Sequence, residues 1–357
     1  MTSKATIETR VVKKQRLDWV DYAKGIAAVL VVFLHVVAGV LRAGIWESDL
    51  ASFLVSSWNE YSLNMPAFFM LAGLFAAMSI RKNPHMFIPD KIRTIAYPYV
   101  LWSLIAVVVG QLARPYTNFG VDLSNTPQIL YNPVLVYWFM YAIFLTMLVY
   151  ALFDRLKINM RWFIALTALL YILVNVVDTE GWFMWERRLM RFAIFFAIGA
   201  VYSQQIRDLI AKASARQLSL AGGAAFVVWL TFIGVGPSAL PSLLQGFVSV
   251  LGVVALLSLC ELLARNNALV VIRELGKRSL QIYVVHVIAA AGFRVMLQRF
   301  LGIDLVPLHL IGGVAAGVGA ALFIDWFCNR IGFQYAFKFP KTTTKANPSV
   351  VQTAPTA

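Results

Sequence analysis

Long apolar stretches alternate with short polar segments along most of the chain. Each stretch has the length of about 17–25 residues that an α-helix needs to cross a bilayer, whose hydrocarbon core is about 30 Å thick. The pattern predicts an all-α fold, a polytopic membrane bundle of about ten helices, without a second, soluble domain. The expected spans are residues 18–41, 60–80, 95–113, 134–153, 161–177, 186–204, 217–235, 242–263, 277–297 and 306–328.

Composition supports this assignment, since 60% of the 357 residues are hydrophobic and only 13% are charged. A soluble domain of this size would need a more polar surface. The net charge of +14 suggests nucleic acid as a partner, but the basic residues lie mostly in alternate short segments between the spans. The positive-inside rule explains that distribution better and predicts that both termini are cytoplasmic. We therefore expect membrane lipids, and no nucleic acid, as partners.

The same pattern divides the chain into three parts. Residues 1–16 form a basic cytoplasmic tail, residues 17–330 form the membrane domain, and residues 331–357 form a second cytoplasmic tail. From about residue 342 this tail is rich in Thr, Ala, Pro and Ser, a composition that cannot bury enough apolar surface to fold, so we expect disorder there.

His35 lies deep in the first apolar stretch, eleven residues after Lys24. Since an α-helix turns by about 100° per residue, Asp21, Lys24 and His35 share one stripe, with His35 about 16 Å along the helix from Lys24. An ionisable group at membrane depth suggests a functional site, and a neutral imidazole suits a general base. Alternatively, His35 is a neutral contact between helices, and Lys24 is an anchor at the interface or a partner of Asp21.

Three further sets of residues suggest chemistry. His286 lies about nine residues into its span, near the middle of the membrane, or is a packing residue. Lys91 and Arg93 precede the third span and suit phosphate binding, or anchor the chain to lipid headgroups.

The third set is a basic cluster on the predicted outer side, where the positive-inside rule expects none. Arg187, Arg188 and Arg191 could hold a phosphate of a lipid-linked sugar or of an anionic lipid. Alternatively they form a structural network with Glu186, Glu180 or Asp178. The sequence contains no metal-binding motif and no glycine-rich phosphate loop, so we expect no bound metal or cofactor. These residues alone fit an enzyme and a transporter about equally well.

A series of motifs resembles the type-3 membrane acyltransferase family, the many-spanning enzymes that O-acetylate bacterial surface carbohydrates. The likeness, which is to fucose 4-O-acetylase-like members, runs from about residue 16 to 330. It includes the family's pattern of a basic residue, a ten-residue gap and a histidine, here Lys24 and His35. Asn64 stands where relatives often have histidine. In chain order the motifs are Asp21-x-x-Lys24-Gly25-Ile26-Ala27, Met65-Pro66-Ala67-Phe68-Phe69 through Ala72-Gly73, Lys91-Ile92-Arg93 with Tyr97-Pro98-Tyr99, Trp138-Phe139-Met140-Tyr141, Phe195-Phe196-Ala197-Ile198-Gly199 and Leu275-Gly276 through Tyr283-Val284-Val285-His286.

The resemblance implies an integral-membrane O-acyltransferase of the bacterial inner (plasma) membrane, which moves an acyl group, most simply acetyl, from cytosolic acyl-CoA to a carbohydrate hydroxyl. It implies His35 as general base, with His286 and Asp21 assisting. It also implies a carbohydrate or lipid-linked glycan as acceptor, and glycan-synthesis machinery as a partner. The alternatives are a transporter or flippase of an anionic glycan, and a succinyltransferase of periplasmic glucans. The remaining residues would bind the donor (Lys24, Lys91 and Arg93) and the acceptor (Arg187, Arg188, Arg191, Asn64 and Trp138).

Overall fold

The computed structural model describes residues 17–116 and 121–340. The predicted tail 1–16 and the predicted disorder from residue 342 lie outside these ranges. The described residues are helical and contain no strand, which confirms the all-α prediction. The helices are α1 (Asp18–Arg42), α2 (Asp49–Glu60), α3 (Asn64–Lys82), α4 (Pro84–Lys91), α5 (Tyr97–Ala113), α6 (Trp138–Arg155), α7 (Met160–Val176), α8 (Met184–Val201), α9 (Ser203–Lys212), α10 (Ala215–Val235), α11 (Ser242–Arg265), α12 (Val270–Lys277), α13 (Ser279–Val295) and α14 (Val306–Arg330).

Short helical turns complete the connections. The π-helical turn Ile92–Ala96 joins α4 to α5, and a second, Met296–Phe300, extends α13. The 3₁₀ turns are Leu123–Asn125, Pro127–Leu130, Leu135–Tyr137 and Pro237–Ala239.

Eight helical segments of the described chain are long and apolar enough to cross a membrane, and α8 with α9 makes a ninth if the two, bent by 72°, count as one. The sequence predicted about ten spans, and the difference lies in α7 and α8. Helix α7 is apolar but has only 17 residues, the lower end of the range for a spanning helix. Helix α8 begins with charged residues, including Glu186 and Arg187, which shorten its apolar part.

Helix α1 lies at the centre of the bundle and packs against α3, α11, α12, α13 and α14. Its closest approach is to α12, where Gly25 faces Gly276. A Cβ atom on Gly276 would overlap the carbonyl oxygen of Asp21, and one on Gly25 would overlap the carbonyl oxygen of Ile272. The two glycines are therefore required for the backbones to meet, as small residues are at many helix crossings in membranes.

A second close crossing joins α3 to α8. A Cβ on Gly73 would overlap the carbonyl oxygen of Phe196, and a Cβ on Gly199 would overlap that of Met70. Both glycines belong to motifs noted in the sequence. The crossing fixes the start of α3 beside the start of α8, and these two helix ends carry Asn64 and the basic cluster.

We call the end of the bundle at which α1 begins the basal end, and the end at which α1 finishes the apical end. Helix α12 lies at the basal end, because Arg273 donates to the Asp18 carboxylate at 2.9 Å and the Tyr22 hydroxyl donates to the Ala268 carbonyl. The starts of α3, α6 and α8 meet the second half of α1 towards the apical end. That the basal end faces the cytoplasm stays a prediction.

The chain after α14 turns back onto the start of α5. Trp102 donates its indole N–H to the Ala336 carbonyl at 2.8 Å and stacks on the Phe337 ring, with centroids 5.6 Å apart. The Tyr97 hydroxyl donates to the Tyr335 carbonyl at 3.0 Å. Residues 331–340, which the sequence placed in the cytoplasmic tail, thus lie against the membrane domain.

Candidate active site

A polar cavity of about 480 Å³ opens among α1, α2, α3, α6 and α8. The second half of α1 forms one wall, and the starts of α3, α6 and α8 form the others. The sequence-predicted residues that line it come from four helices and from positions up to 156 residues apart. They are His35, Asn64, Trp138, Arg187, Arg188 and Arg191.

His35 lies in the wall of this cavity and contacts His286 of α13. The centroids of the two imidazole rings are 5.3 Å apart and the rings are inclined by 40°. His35 is half-buried, whereas His286 has no exposed surface. The two histidines at membrane depth, which the sequence singled out separately, therefore form one pair.

The hydrogen bonds of His286 define its tautomer. Nδ1 lies 3.0 Å from the Ile282 carbonyl oxygen and 2.7 Å from the Tyr283 carbonyl oxygen. Because both neighbours are acceptors, we assign the proton to Nδ1, which leaves a lone pair on Nε2. Nε2 is buried and has no hydrogen-bond partner among the described residues. The ring is thus held by its own helix and presents one free acceptor.

The arginines of the basic cluster differ in the groups that they contact. Arg191 pairs with Glu60 at 2.7 Å and also donates to the Asn175 side chain at 3.4 Å. The Arg188 guanidinium lies over the Trp138 ring, 4.8 Å from its centroid, as in a cation–π contact. Within the described residues neither Arg187 nor Arg188 has a carboxylate partner.

Two of the three acids that the sequence offered as partners for this cluster, Glu186 and Asp178, have other contacts. The Glu186 carboxylate accepts the backbone N–H of Phe183 at 3.1 Å, which caps α8. Asp178 accepts the backbone N–H of Glu180 at 2.9 Å. Arg188, which is half-buried, and Arg187, which is exposed, therefore bring positive charge to the cavity without an ion pair to these carboxylates, and this favours an anionic ligand.

Asn64 is buried at the start of α3 and points its amide at the cavity. Its Oδ1 accepts the indole N–H of Trp58 at 3.1 Å and the hydroxyl of Ser62. Its amide nitrogen has no partner among the described residues and remains a donor for a ligand. Aromatic rings and fixed amide donors are suited to holding a small polar ligand in one orientation.

Several residues that line the cavity escaped the sequence analysis, among them Trp58 and Tyr283. Trp58 lines the cavity, and its indole N–H donates to the Oδ1 of Asn64. Tyr283 also lines the cavity, and its hydroxyl donates to the Val136 carbonyl. The sequence could have indicated Tyr283, because it lies three residues before His286 and so about one helical turn away on a neighbouring face.

Asp21 and Lys24 are remote from the cavity, although they share a stripe of α1 with His35. They form an ion pair of 2.8 Å near the basal end, in which Asp21 is buried and Lys24 is partly exposed. Neither residue lines the cavity.

Lys91 and Arg93 also lie outside the cavity, on either side of the junction between α4 and the π-helical turn. The Lys91 ammonium lies over the Phe87 ring at 5.3 Å from its centroid. The Arg93 guanidinium donates to the Phe339 carbonyl at 2.8 Å and lies 3.4 Å from the Asp90 carboxylate. The C-terminal part of the described chain therefore contacts one of the three predicted donor-binding cations, Arg93.

Comparison with known proteins gives one family. A family model described as an acyltransferase domain matches residues 17–326, most of the chain. Comparisons with curated proteins and with solved structures find no match.

Proposed function

The chain belongs to the acyltransferase domain family and is a multi-pass membrane acyltransferase; from this premise we propose that it moves an acyl group from acyl-CoA to a hydroxyl of an envelope carbohydrate. Acetyl is the simplest acyl group that fits this proposal, and the bacterial inner membrane is the location we propose. The observation that carries the proposal is the His35–His286 pair in the wall of a cavity that also holds uncompensated arginines.

The chemistry follows from the two imidazoles. A neutral imidazole has one N–H and one lone pair. We propose that the His35 N–H faces Nε2 of His286, which lacks a donor, so that the other nitrogen of His35 is held as a base towards the cavity. In this arrangement His286 orients His35 and sets its tautomer, as the second group does in other base-activated acyl transfers.

The proposed transfer balances in one step. His35 accepts the proton of the acceptor hydroxyl while the hydroxyl oxygen bonds to the thioester carbonyl carbon. The carbon–sulfur bond breaks, and the proton passes from His35 to the departing thiolate, which leaves as the free thiol of CoA. General base catalysis of this kind contributes about 10²–10⁴-fold to the rate.

The acceptor occupies the large cavity in this proposal. A sugar ring would lie against Trp138, and Asn64 would donate its amide N–H to a hydroxyl or a ring oxygen. Arg187 and Arg188 would hold a negative charge on the glycan or on the phosphate of a lipid-linked form. The lining supports this, since Arg187, Arg188 and Arg191 all face the same cavity as Asn64 and Trp138.

The donor approaches from the basal end in this proposal. Lys24 and Lys91 are partly exposed there and have the charge to meet the phosphates of CoA. Arg93 would take part only when its guanidinium leaves the Phe339 carbonyl. The supporting observations are the basic composition of the basal segments and the stripe that joins Lys24 to His35.

A matched pair of histidine variants tests the proposal. Membranes that contain wild-type protein, His35→Ala or His85→Ala are supplied with acetyl-CoA or succinyl-CoA, labelled in the acyl group, and with an envelope-glycan fraction. His85 is exposed in α4 and lines neither of the cavities that His35 touches. We expect alkali-labile label with the wild type and with His85→Ala, and a loss of about 10²-fold or more with His35→Ala.

Two results would contradict the proposal. Equal labelling by the wild type and His35→Ala would make His35 a packing residue. An absence of label with either donor, together with movement of unmodified glycan across the membrane, would support the transporter alternative.

A further inference from the structure

The turn that leads into α6 has a strained backbone. Leu135 has a φ of 51°, in the left-handed region, although it is not a glycine. A bulky residue rarely adopts this conformation, whose population is lower by about 5–30-fold. Leu135 begins the 3₁₀ turn Leu135–Tyr137, and α6 follows directly with Trp138. Contacts with the rest of the structure must therefore hold the turn in place.

Two tyrosine hydroxyls make such contacts. Tyr283, in α13, donates its hydroxyl to the Val136 carbonyl, and Tyr137, in the turn, donates its hydroxyl to the Val284 carbonyl at 2.9 Å. The two hydrogen bonds run in opposite directions between the same two segments, and all four residues are buried. We call this pair of hydrogen bonds the tyrosine clasp. It ties the turn before α6 to α13.

The tyrosine clasp also reaches the histidine pair. The Tyr283 carbonyl accepts a hydrogen bond from Nδ1 of His286 at 2.7 Å, and the centroids of their rings are 6.0 Å apart. The residue that holds the turn is therefore one of the two that hold the His286 ring.

Residues on both sides of the tyrosine clasp line the large cavity. Val136, Trp138 and Tyr283 all belong to its wall, and the Trp138 ring lies under the Arg188 guanidinium. Because Trp138 directly follows the turn, its position relative to His286 depends on the backbone conformation of Leu135.

We propose that Tyr283 is a positioning residue, which holds Leu135 in its left-handed conformation through the tyrosine clasp and so fixes Trp138 beside the histidine pair. This inference rests on the proposed function, in which the sugar ring of the acceptor lies against Trp138. Without the clasp the turn relaxes, and only a fraction of the molecules present Trp138 correctly. The apparent affinity for the acceptor then falls in proportion to that fraction.

The test first removes the hydroxyl and then removes the strain. Wild type, Tyr283→Phe, Leu135→Gly and the double variant are assayed with acetyl-CoA or succinyl-CoA, whichever the wild type uses, and with varied acceptor. We expect Tyr283→Phe to raise the KM for the acceptor by about 5–30-fold and to leave the KM for acyl-CoA unchanged. Glycine adopts a positive φ readily, so the double variant should recover most of the wild-type KM for the acceptor. A hydroxyl that bound the acceptor directly would not be replaced in this way.

A second leucine provides the matched control. Leu269 has a φ of 48° and is exposed at the start of α12, at the basal end. Leu269→Gly removes the same side chain from the same backbone conformation and leaves the turn before α6 intact. We expect Tyr283→Phe combined with Leu269→Gly to keep the raised KM for the acceptor.

Two further measurements guard against a folding defect. Tyr137→Phe removes the other hydrogen bond of the tyrosine clasp and should raise the acceptor KM in the same way. Hydrogen exchange gives a readout that does not depend on activity, since the backbone N–H of Tyr137 donates to the Val134 carbonyl at 3.2 Å. We expect peptides that cover residues 134–138 to exchange faster in Tyr283→Phe and more slowly again once Leu135→Gly is added.

The outcomes separate this inference from the proposed function. An unchanged acceptor KM in Tyr283→Phe, or equal effects of Leu135→Gly and Leu269→Gly when each is added to it, would overturn the inference and leave the proposed function standing. A fall in kcat alone would also overturn it, because the hydroxyl would then act on the histidine pair and not on Trp138. An absence of acyl transfer by the wild type with either donor would overturn both.

Discussion

The crossing of α3 and α8 predicts that a single methyl group at Gly199 will disturb the active site from a distance. In the native structure an ideal Cβ on Gly199 would lie 2.8 Å from the carbonyl carbon of Met70 and closer to its oxygen. Neither atom can yield independently, since both belong to helix backbone. Gly199→Ala must therefore push the two helices apart.

The size of the effect follows from these distances. Restoring an ordinary separation of about 3.5–4.0 Å requires a shift of about 1 Å, and a gap of 0.5–1 Å already loses a quarter to a half of each contact across the interface. Overpacking of this kind costs about 1–3 kcal/mol. Since 1 kcal/mol corresponds to about 2–4 °C in larger domains, the thermal midpoint should fall by several degrees.

The assay pairs stability with activity. Thermal aggregation of the detergent-purified protein gives the midpoint, and acyl transfer from the preferred acyl-CoA gives kcat/KM. The control is Gly223→Ala in α10, where a Cβ would meet nothing within 4 Å. Alanine favours helix over glycine by about 0.8–1.0 kcal/mol, so this control should be neutral or slightly stabilised. We expect Gly199→Ala to lose activity as well, because the crossing joins the helices that bring Asn64 and Arg188 to the same cavity. If Gly199→Ala matched Gly223→Ala in both readouts, the reasoning about this crossing would be refuted.

Three further predictions concern individual contacts. The Tyr137 hydroxyl donates to the Val284 carbonyl at 2.9 Å inside the core, so Tyr137→Phe should cost about 1 kcal/mol of stability; an unchanged thermal midpoint relative to the exposed control Tyr202→Phe would count against this. Arg188→Gln removes the guanidinium from Trp138 and should raise KM for the acceptor several-fold without changing KM for acyl-CoA, in contrast to the exposed control Arg216→Gln; a change in the donor KM alone would contradict this assignment. Glu274, in α12, accepts a hydrogen bond from Lys277 and faces Arg273 and Arg278, which together lower the pKa of its carboxyl below the ordinary value of 4.5. The ionised carboxyl therefore contributes its full stabilisation at pH values above that ordinary value, and this stabilisation is lost as the pH falls through the lowered pKa. Glu274→Gln should make the thermal midpoint depend less on pH in this acidic range. A pH dependence identical to that of the wild type would show that these ion pairs contribute nothing to stability.

Features that depend on one helix at a time could be predicted from the sequence. Apolar length sets whether a segment can span a bilayer, so the positions of the main helices followed from the pattern of residues. The periodicity of a single helix likewise placed Asp21, Lys24 and His35 on one stripe. The prediction was least accurate at α7 and α8, because a short helix or a charged first turn leaves the apolar length near the limit for a span.

The contacts between helices could not be predicted in the same way. Arg191 pairs with Glu60, 131 residues away, rather than with the acids near it in sequence. Asp21 shares a stripe with His35 yet lies outside the cavity, because α12 covers the basal half of α1. Tyr283 reaches the Val136 carbonyl, 147 residues away, only because α13 packs beside the start of α6.

The sequence by itself thus determined the class of the protein, most of its spanning segments and the positions of the two histidines within theirs, because hydropathy and helical periodicity are local properties. Only the tertiary structure decided which of these residues meet. The distance between two helices and the faces they present depend on the small residues at each crossing, such as Gly25 against Gly276 and Gly73 against Gly199. The crossing of α3 and α8 brings Asn64 to the cavity that the arginines of α8 also line, and the packing of α13 against α1 joins His35 to His286.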